Sequence, residues 1–330
     1  MLRRSALFTL AAPFGLCIPP LARASTPADA GDWPSKPIRV VVPFPAGGAG
    51  DLVPRILGER LSKLWRQPIV VENKAGADGI IGMDFVAKAA ADGYTVGVAS
   101  SGPVVIGKRL FPNLPFEPAT DLLPVSLTYE TPFVLIVPGN SPLHRIDELI
   151  AAAKASPGRL NVAIPNRGSI QHLLTEQMKG DTQTDMPGIP YKGGGPAALA
   201  VASGEVDLSW GALPNVVGLV RAGRVRAIAV SSAQRAGLLP DVATVGEQGH
   251  AGWTCTNWNG LVVPRNTPAP VIARMNARIA DILQEPEVRQ RFQDMGISPL
   301  GGTPQRFAQL LREEEARWGR VIAQRGIRPE

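Results

Sequence analysis

Cysteine, histidine and aromatic residues are scarce in this chain of 330 residues, which contains two Cys, three His and 5% aromatics. The histidines His144, His172 and His250 lie far apart without the paired spacing of metal ligands, so the sequence predicts no zinc or iron site. Cys17 falls within the first 24 residues, which leaves Cys255 without a second thiol for an internal disulfide. We expect Cys255 to be a small buried apolar residue, and we expect no cofactor.

An excess of one charge sign is almost absent once the N-terminus is set aside. The 34 Lys and Arg outnumber the 28 Asp and Glu, for a net charge of +6, but three of the arginines and none of the acids lie in the first 24 residues. No run of Lys and Arg with interleaved aromatics marks a nucleic-acid track. The composition therefore predicts no nucleic-acid partner and suits the capture of small anions.

Long hydrophobic runs are also missing, since no segment after residue 24 reaches 18 consecutive apolar residues. The N-terminus instead has the order of a secretory signal peptide: Arg3 and Arg4, an uncharged and mostly apolar stretch over residues 6–18, and the small-x-small site Ala22-Arg23-Ala24. That stretch is too short and too broken by prolines to span a bilayer. We expect residues 1–24 to direct export and then to be removed.

Gly and Pro are plentiful, at 35 and 32 residues, and they separate short apolar segments. β-branched runs predict buried strands, and apolar residues at helical spacing follow them. The predicted strands cover residues 38–42, 69–72, 94–99, 133–137, 160–164, 208–210, 225–230 and 261–263. Predicted helices begin at 51 and after 196, and cover 80–91, 146–154, 170–178, 214–222, 268–284, 287–295 and 303–325. Repeated strand, loop and helix units predict an α/β protein with doubly wound parallel sheets.

Two segments approach catalytic motifs without matching them. Residues 168–172 (Gly-Ser-Ile-Gln-His) only approach the G-x-S-x-G spacing of a nucleophile elbow, and Ser169 at a helix start is typical of an N-cap. Residues 102–109 fit a phosphate loop except that Arg109 replaces the Ser or Thr that holds magnesium. The acidic groups Asp147-Glu148 and Glu313-Glu314-Glu315 are expected to be solvated helix faces. The sequence therefore predicts a protein that is not an enzyme.

Glycine-rich loops recur between a predicted strand and a predicted helix, at residues 47–50, 168–169 and 193–195. At such a position free amides and the helix dipole attract an anion, although tight turns alone would also explain any one loop. Ligands of α/β sheets bind at the carboxyl ends of the strands. Together the three loops predict a cleft lined by backbone donors.

The segments at residues 43–51, 71–77, 190–196 and 204–208 (PFPAGGAGD, VENKAGA, PYKGGGP and GEVDL) resemble the tripartite tricarboxylate transporter substrate-binding proteins, the Bug family. The likeness extends from residue 33 to residue 327. It implies a monomeric two-domain periplasmic binding protein, type II-like, that closes like a Venus flytrap about two crossing strands. We expect residues 33–130 with 235–330 to form domain I and residues 131–234 to form domain II.

The resemblance also implies the ligand, a small carboxylate that is passed to two integral-membrane transporter subunits. The ligand-binding positions that it implies are Phe44, Ala46, Gly47, Gly48, Asp51, Ser100, Ser101, Gly168, Ser169, His172, Tyr191, Lys192 and Gly193. For Asp51, Tyr191 and Lys192, a structural role explains the residue equally well.

Two departures from the family pattern add candidate ligand contacts. Arg167 introduces a charge able to bind a carboxylate through two hydrogen bonds, and Trp210 offers an apolar surface for the ligand body. A solvated Arg167 and a core Trp210 are the alternatives. Two further functions stay open at this point: a binding subunit that serves a signalling partner, and an exported hydrolase with Ser169 or Cys255 as nucleophile.

Overall fold

The computed structural model of the protein describes residues 32–111 and 113–328, so the predicted signal peptide lies outside the described residues. The strands are β1 (Ile38–Val42), β2 (Ile69–Asn73), β3 (Thr95–Ser100), β4 (Leu122–Pro138), β5 (Val162–Ile164), β6 (Gly188–Pro190), β7 (Leu208–Ala212), β8 (Val225–Val230), β9 (Thr256–Pro264) and β10 (Ser298–Pro299).

The α-helices are α1 (Ala49–Trp65), α2 (Ile80–Ala87), α3 (Gly107–Leu110), α4 (Pro118–Asp121), α5 (Ile146–Ala155), α6 (Ile170–Thr182), α7 (Gly194–Ser203), α8 (Leu213–Arg221), α9 (Ala269–Gln284), α10 (Pro286–Asp294) and α11 (Pro304–Arg325). Within the described ranges, no helix combines the length and apolarity that a membrane span requires.

The strands confirm the predicted α/β architecture and divide it into two lobes. In the first lobe β1 pairs in parallel with β2 and β3, and in the second lobe β5 pairs in parallel with β6 and β7. The path through both lobes is β2-β1-β3-β9-β4-β7-β5-β6, with β8 and β10 also paired to β4. Parallel strands of each lobe therefore end at the cleft between the lobes.

The long strand β4 joins the two lobes by changing partners along its length. Residues 122–132 pair with β9, whereas residues 133–138 pair with β7 and β8. The chain crosses back to the first lobe just before β9. There the amide of Cys255 donates a hydrogen bond of 2.8 Å to the carbonyl of Ser231, which follows β8. These are the two crossing segments, and both are longer than the sequence pattern predicted. Pro124 and Pro132 interrupt the strand signal of β4, because a proline lacks the amide that a ladder needs.

The segment between β8 and β9 packs on the second lobe. The amide of Val245 donates to the carbonyl of Val230 at 2.8 Å, and the side chain of Gln248 donates to the carbonyl of Ile228 at 2.7 Å. The amide of Ile146, at the start of α5, donates to Gln248 Oε1 at 3.0 Å. Residues 243–250 are thus held by second-lobe strands and helices.

The C-terminal helix α11 packs against both lobes. Its buried side chains include Phe307, Trp318 and Ile322, which join a core cluster that also contains Leu173 of α6. Arg317 Nη1 donates to the carbonyl of Thr254 at 2.6 Å, and its Nε donates to Gln177 Oε1 of α6 at 3.1 Å. Helix α11 therefore closes one side of the boundary between the lobes, and the lobes face each other on the opposite side.

Candidate functional site

Two adjoining cavities, of about 650 and 640 Å³, lie between the lobes at the carboxyl ends of the parallel strands. Phe44, Pro45, Ser100 and Asn257 line both of them. The first cavity is also lined by Arg167, Gly168 and Ser169 of the second lobe and by Ser101 and Asp78 of the first. The second cavity is also lined by residues 46–50 of the first lobe and by Thr131, Asn215 and Asn259. A pocket of this size takes a small organic molecule.

The loop between β1 and α1 is held in place by Asp51, whose side chain is almost fully buried. Asp51 Oδ2 accepts from the amide of Gly47 at 3.0 Å, and Oδ1 accepts from Arg55 Nη2 at 2.8 Å and from Asn73 Nδ2 at 3.0 Å. The hydrogen bond from Arg55 is the largest of the effects that lower the pKa of Asp51 to about 2, against desolvation. Asp51 therefore acts as a brace beneath the loop.

The brace leaves backbone donors for a ligand. The amides of Ala49 and Gly50 lie in the first turn of α1, where no intrahelical acceptor is available, and both residues line the second cavity. Gly47, at φ +96°, adopts a left-handed conformation that suits glycine. The sequence prediction of a donor-lined glycine loop at the cleft thus agrees with the geometry of residues 46–50.

The second-lobe loop is organised by His172 and Ser169. His172 Nδ1 accepts from the amide of Gly168 at 3.0 Å, and burial lowers the pKa of this imidazole, which favours the neutral ring that can accept. Ser169 caps α6: its Oγ accepts from the amide of His172 at 3.2 Å and donates to the carbonyl of Asn166 at 2.8 Å. His172 lies behind the loop and lines neither cleft cavity, and its hydrogen bond holds the amide of Gly168 in place.

Gly168 offers a direct test of how closely this loop approaches the first lobe. Its φ is +77°, and an added Cβ would lie 2.3 Å from Leu110 Cδ1 of α3. We expect Gly168→Ala to lower the free energy of unfolding by about 1 kcal/mol or more, because the left-handed backbone is strained for alanine and the buried Leu110 side chain must move. Urea denaturation at pH 7 measures this loss.

Gly218→Ala is the matched control for Gly168→Ala. Gly218 lies inside α8, and an added Cβ there would meet nothing within 4 Å. This control is expected to stabilise the protein by about 0.5 to 1 kcal/mol, as alanine does inside a helix. Equal effects of the two substitutions would contradict the close approach of Gly168 to Leu110.

Besides Asp51 and His172, which hold the two loops from behind, four predicted site residues lie away from the two cavities. Tyr191 Oη donates to Glu205 Oε1 at 2.8 Å, and the amide of Gly193 donates to the carbonyl of Pro165 at 3.0 Å. Burial and the nearby carboxylate of Glu205 raise the pKa of Tyr191 to about 12. Lys192 is exposed, and neither it nor its two neighbours line either cavity.

Trp210 is the fourth of these residues, and the structure places it in the core. Its side chain is fully buried in the same cluster as Leu208, two residues earlier on the same face of β7, and it lines neither cavity. Trp210 therefore packs against other core side chains and not, as expected, against a ligand in the cleft.

The sequence pattern did not predict the polar residues that the crossing strands bring to the cleft. Thr131 of β4 and Asn257 of β9 are direct partners in the ladder, and Asn259 lies two residues further on the same face. The alternation of Asn257, Trp258 and Asn259 was the available signal, because it places both amides on one face and the indole on the other. The predicted strand began only at residue 261, after this alternation.

Glu314 corrects a second expectation, that the acidic run of residues 313–315 is solvated. Glu314 is only 7% exposed, and its Oε2 accepts from Ser101 Oγ at 2.9 Å, Trp258 Nε1 at 3.2 Å and Trp318 Nε1 at 3.0 Å. Glu314 follows Phe307 by seven residues and precedes Trp318 by four, so the helical period places it on the buried stripe.

Ser169 and Cys255 are the two candidate nucleophiles of a hydrolase, and within the described residues the surroundings of neither one suit catalysis. Ser169 uses its hydroxyl as a cap, and Cys255 is 4% exposed and lines neither cleft cavity. Burial, together with the nearby charges of Glu314 and Glu130, raises the pKa of the Cys255 thiol far above its ordinary value.

Cys255 is therefore expected to be inert in the folded protein. Its reaction with 5,5′-dithiobis(2-nitrobenzoic acid) at pH 8 should be at least about 100-fold slower in the native protein than in 6 M guanidinium chloride, because the buried thiol does not ionise. Release of one thionitrobenzoate per mature chain within seconds under native conditions would contradict this burial.

Known proteins resemble this chain along nearly its whole length. Residues 53–327 match the family model TctC, described as the tripartite tricarboxylate transporter family receptor. Protein BugT of Bordetella pertussis is 36% identical over 308 residues, which cover 93% of this chain and 94% of that protein.

Solved structures show the same architecture. Rpa4515 of R. palustris, determined with adipate, has a TM-score of 0.78 and 33% identity, covering 91% of this chain and 100% of that one. MatC (Rpa3494) from Rhodopseudomonas palustris, with bound malate, has a TM-score of 0.73 and 34% identity, covering 88% and 100%. With its family model matched over most of the chain and its two lobes arranged as in these structures, this protein belongs to the tripartite tricarboxylate transporter family receptors, the periplasmic solute-binding proteins of the Bug family.

Proposed function

We propose that this protein, exported by a signal peptide in residues 1–24, captures a small organic anion between its lobes and presents it to integral-membrane transporter subunits. The observation that carries the proposal is the pairing of two anion-binding features across one cleft. The first-turn amides of α1 line one cavity, and Arg167 lines the adjoining one from the second lobe.

The chemical class of the ligand follows from these donors. Backbone amides at a helix N-terminus and a guanidinium both favour carboxylate oxygens, and their positions in adjoining cavities suit an acid with a carboxylate at each end. The related structures with adipate and malate support this class, since both are dicarboxylates. We infer that the ligand is a dicarboxylate, bound without chemical conversion by a monomeric receptor.

The domain boundaries follow from the crossing segments. One boundary lies at residues 132–133, where β4 changes partners. We place the other near residue 255 and not at 235, because residues 243–250 hydrogen-bond to β8 and to the start of α5. Domain I then comprises residues 33–132 with 255–328.

Thermal unfolding of the mature protein tests the ligand class. The protein from Ser25 onward is titrated with dicarboxylates of four to six carbons, and with matched amides that lack the charge. A dicarboxylate at 100 times its Kd should add about 2.7 kcal/mol to the free energy of unfolding and raise Tm by several degrees. Stabilisation by the diamides and not by the acids would overturn the proposal.

Small-angle scattering tests the trap. A ligand that binds the closed state shifts the population toward it, so the radius of gyration should fall when the ligand is added. An unchanged radius with a bound ligand confirmed by mass spectrometry would exclude closure as the mechanism of capture.

A further inference from the structure

A buried carboxylate lies directly behind the floor of the cleft. Glu314 accepts three hydrogen bonds on Oε2, all from neutral donors: the Ser101 hydroxyl, the Trp258 indole and the Trp318 indole. The two indoles come from β9 and from α11 itself, so the carboxylate is fixed by rigid elements. Ser101 alone of these donors also lines the first cavity.

This network determines what Ser101 offers to a ligand. A hydroxyl has one proton and two lone pairs, and the proton of Ser101 is committed to Glu314 at 2.9 Å. The Ser101 oxygen can therefore only accept a hydrogen bond from the cavity. A ligand carboxylate placed there would meet an acceptor with a second carboxylate behind it, which is unfavourable for two like charges.

We propose that the floor of the cleft selects acids that carry a hydroxyl or amino group, with Ser101 accepting from that group and Glu314 acting as the positioning residue for Ser101. The proposal rests on the proposed function, in which the amides of α1 and Arg167 hold the carboxylates. It adds a neutral or cationic donor between those carboxylates as the feature that distinguishes one dicarboxylate from another.

Calorimetric titration of matched acids tests this selection. The probes are succinate, L-malate and L-aspartate, which differ only at one carbon, and the longer pair adipate and L-2-aminoadipate. In the native protein, the affinity for the donor-bearing acid that binds more tightly should be about tenfold or more above the affinity for its unsubstituted counterpart. The unsubstituted acid leaves a buried acceptor without a donor, and that costs binding free energy.

Variants assign the effect to the named residues. Ser101→Ala should reduce the advantage of the donor-bearing acid to less than about threefold while changing the Kd of the unsubstituted acid by less than about threefold. Glu314→Leu should do the same, because removal of the acceptor frees the Ser101 hydroxyl to donate into the cavity. Glu314→Gln should keep the selection, because its carbonyl oxygen can accept the same three hydrogen bonds. Ser209→Ala is the control, since Ser209 is buried and donates to the carbonyl of Ala163 away from both cavities.

The outcomes separate this inference from the proposed function. Equal binding of substituted and unsubstituted acids by the native protein would overturn the selection and leave the carboxylate receptor intact. Equal weakening of both acids by Ser101→Ala would also overturn it. Binding of none of the five acids would count against the proposed function and so remove the basis of the inference. Ser101→Ala decides the question alone if Glu314→Leu does not fold.

Discussion

Replacing Arg167 with alanine is expected to weaken dicarboxylate binding by about 10- to 150-fold, the largest effect of any single substitution in the cleft. Arg167 is the cationic side chain that lines the first cavity, and loss of a charge-assisted hydrogen bond costs about 1.5 to 3 kcal/mol. Calorimetric titration at pH 7 and low salt measures the change in Kd.

Two further variants serve as comparisons for Arg167→Ala. Arg167→Lys keeps the charge but not the planar pair of donors, so it should recover only part of the lost affinity. Arg159→Ala removes an arginine of the same lobe that lines neither cavity and should leave Kd unchanged within about twofold. A loss below about 0.5 kcal/mol for Arg167→Ala would show that this residue is a solvated charge, the alternative that the sequence left open.

Replacing Asp51 with asparagine is expected to lower the free energy of unfolding by about 1 to 2 kcal/mol at pH 7. The carboxylate accepts from Gly47, Arg55 and Asn73, and the asparagine can serve only some of these donors. We take a modest value because the Arg55 side chain is 45% exposed, so that solvent screens its charge. Ligand affinity should fall as well, since the loop of residues 46–50 loses its brace.

The pH dependence of this effect identifies the ionised carboxylate as its source. The pKa of Asp51 is about 2 in the folded protein and near its ordinary value of 3.8 when unfolded. Its contribution is therefore complete above about pH 5 and is lost as the pH falls from about 4 toward 2. Urea unfolding at pH 7, 5 and 3.5 should show a constant difference between the native protein and Asp51→Asn at the first two values and a smaller one at the third.

The exposed residue Asp241 provides the control for Asp51. Asp241→Asn should change the free energy of unfolding by less than about 0.5 kcal/mol at each pH. A difference for Asp51→Asn that does not shrink at pH 3.5 would mean that the variant acts through packing and not through the charge.

The elements that the sequence predicted well are those with a complete local signal. β1, α1 and the glycine loop between them were predicted because a β-branched run, a turn of glycines and apolar residues at helical spacing follow one another within 27 residues. Strand β4 was predicted only over residues 133–137, because its first half contains two prolines and takes its stability from β9, more than 120 residues away.

Residues of the site divide in the same way. Residues 46–48, Ser100, Ser101, Gly168 and Ser169 lie at the cleft because strand ends and helix starts define that edge of a sheet. For Tyr191 the family resemblance suggested a ligand contact, and for Trp210 the residue type did, but the direction of each side chain depends on the tertiary structure. The hydroxyl of Tyr191 donates a hydrogen bond to Glu205, and the side chain of Trp210 is buried in the core.

By itself the sequence determined the fold class, the family and the loops that supply backbone donors, because each depends on residues close together in the chain. Only the tertiary structure decided which side chains share the cleft. Ser101 meets Glu314 across 213 residues, and Asn259 reaches the cavity through the pairing of β9 with β3. Such contacts join elements that no local pattern relates, and the buried carboxylate of Glu314 is stable only where distant donors converge on it.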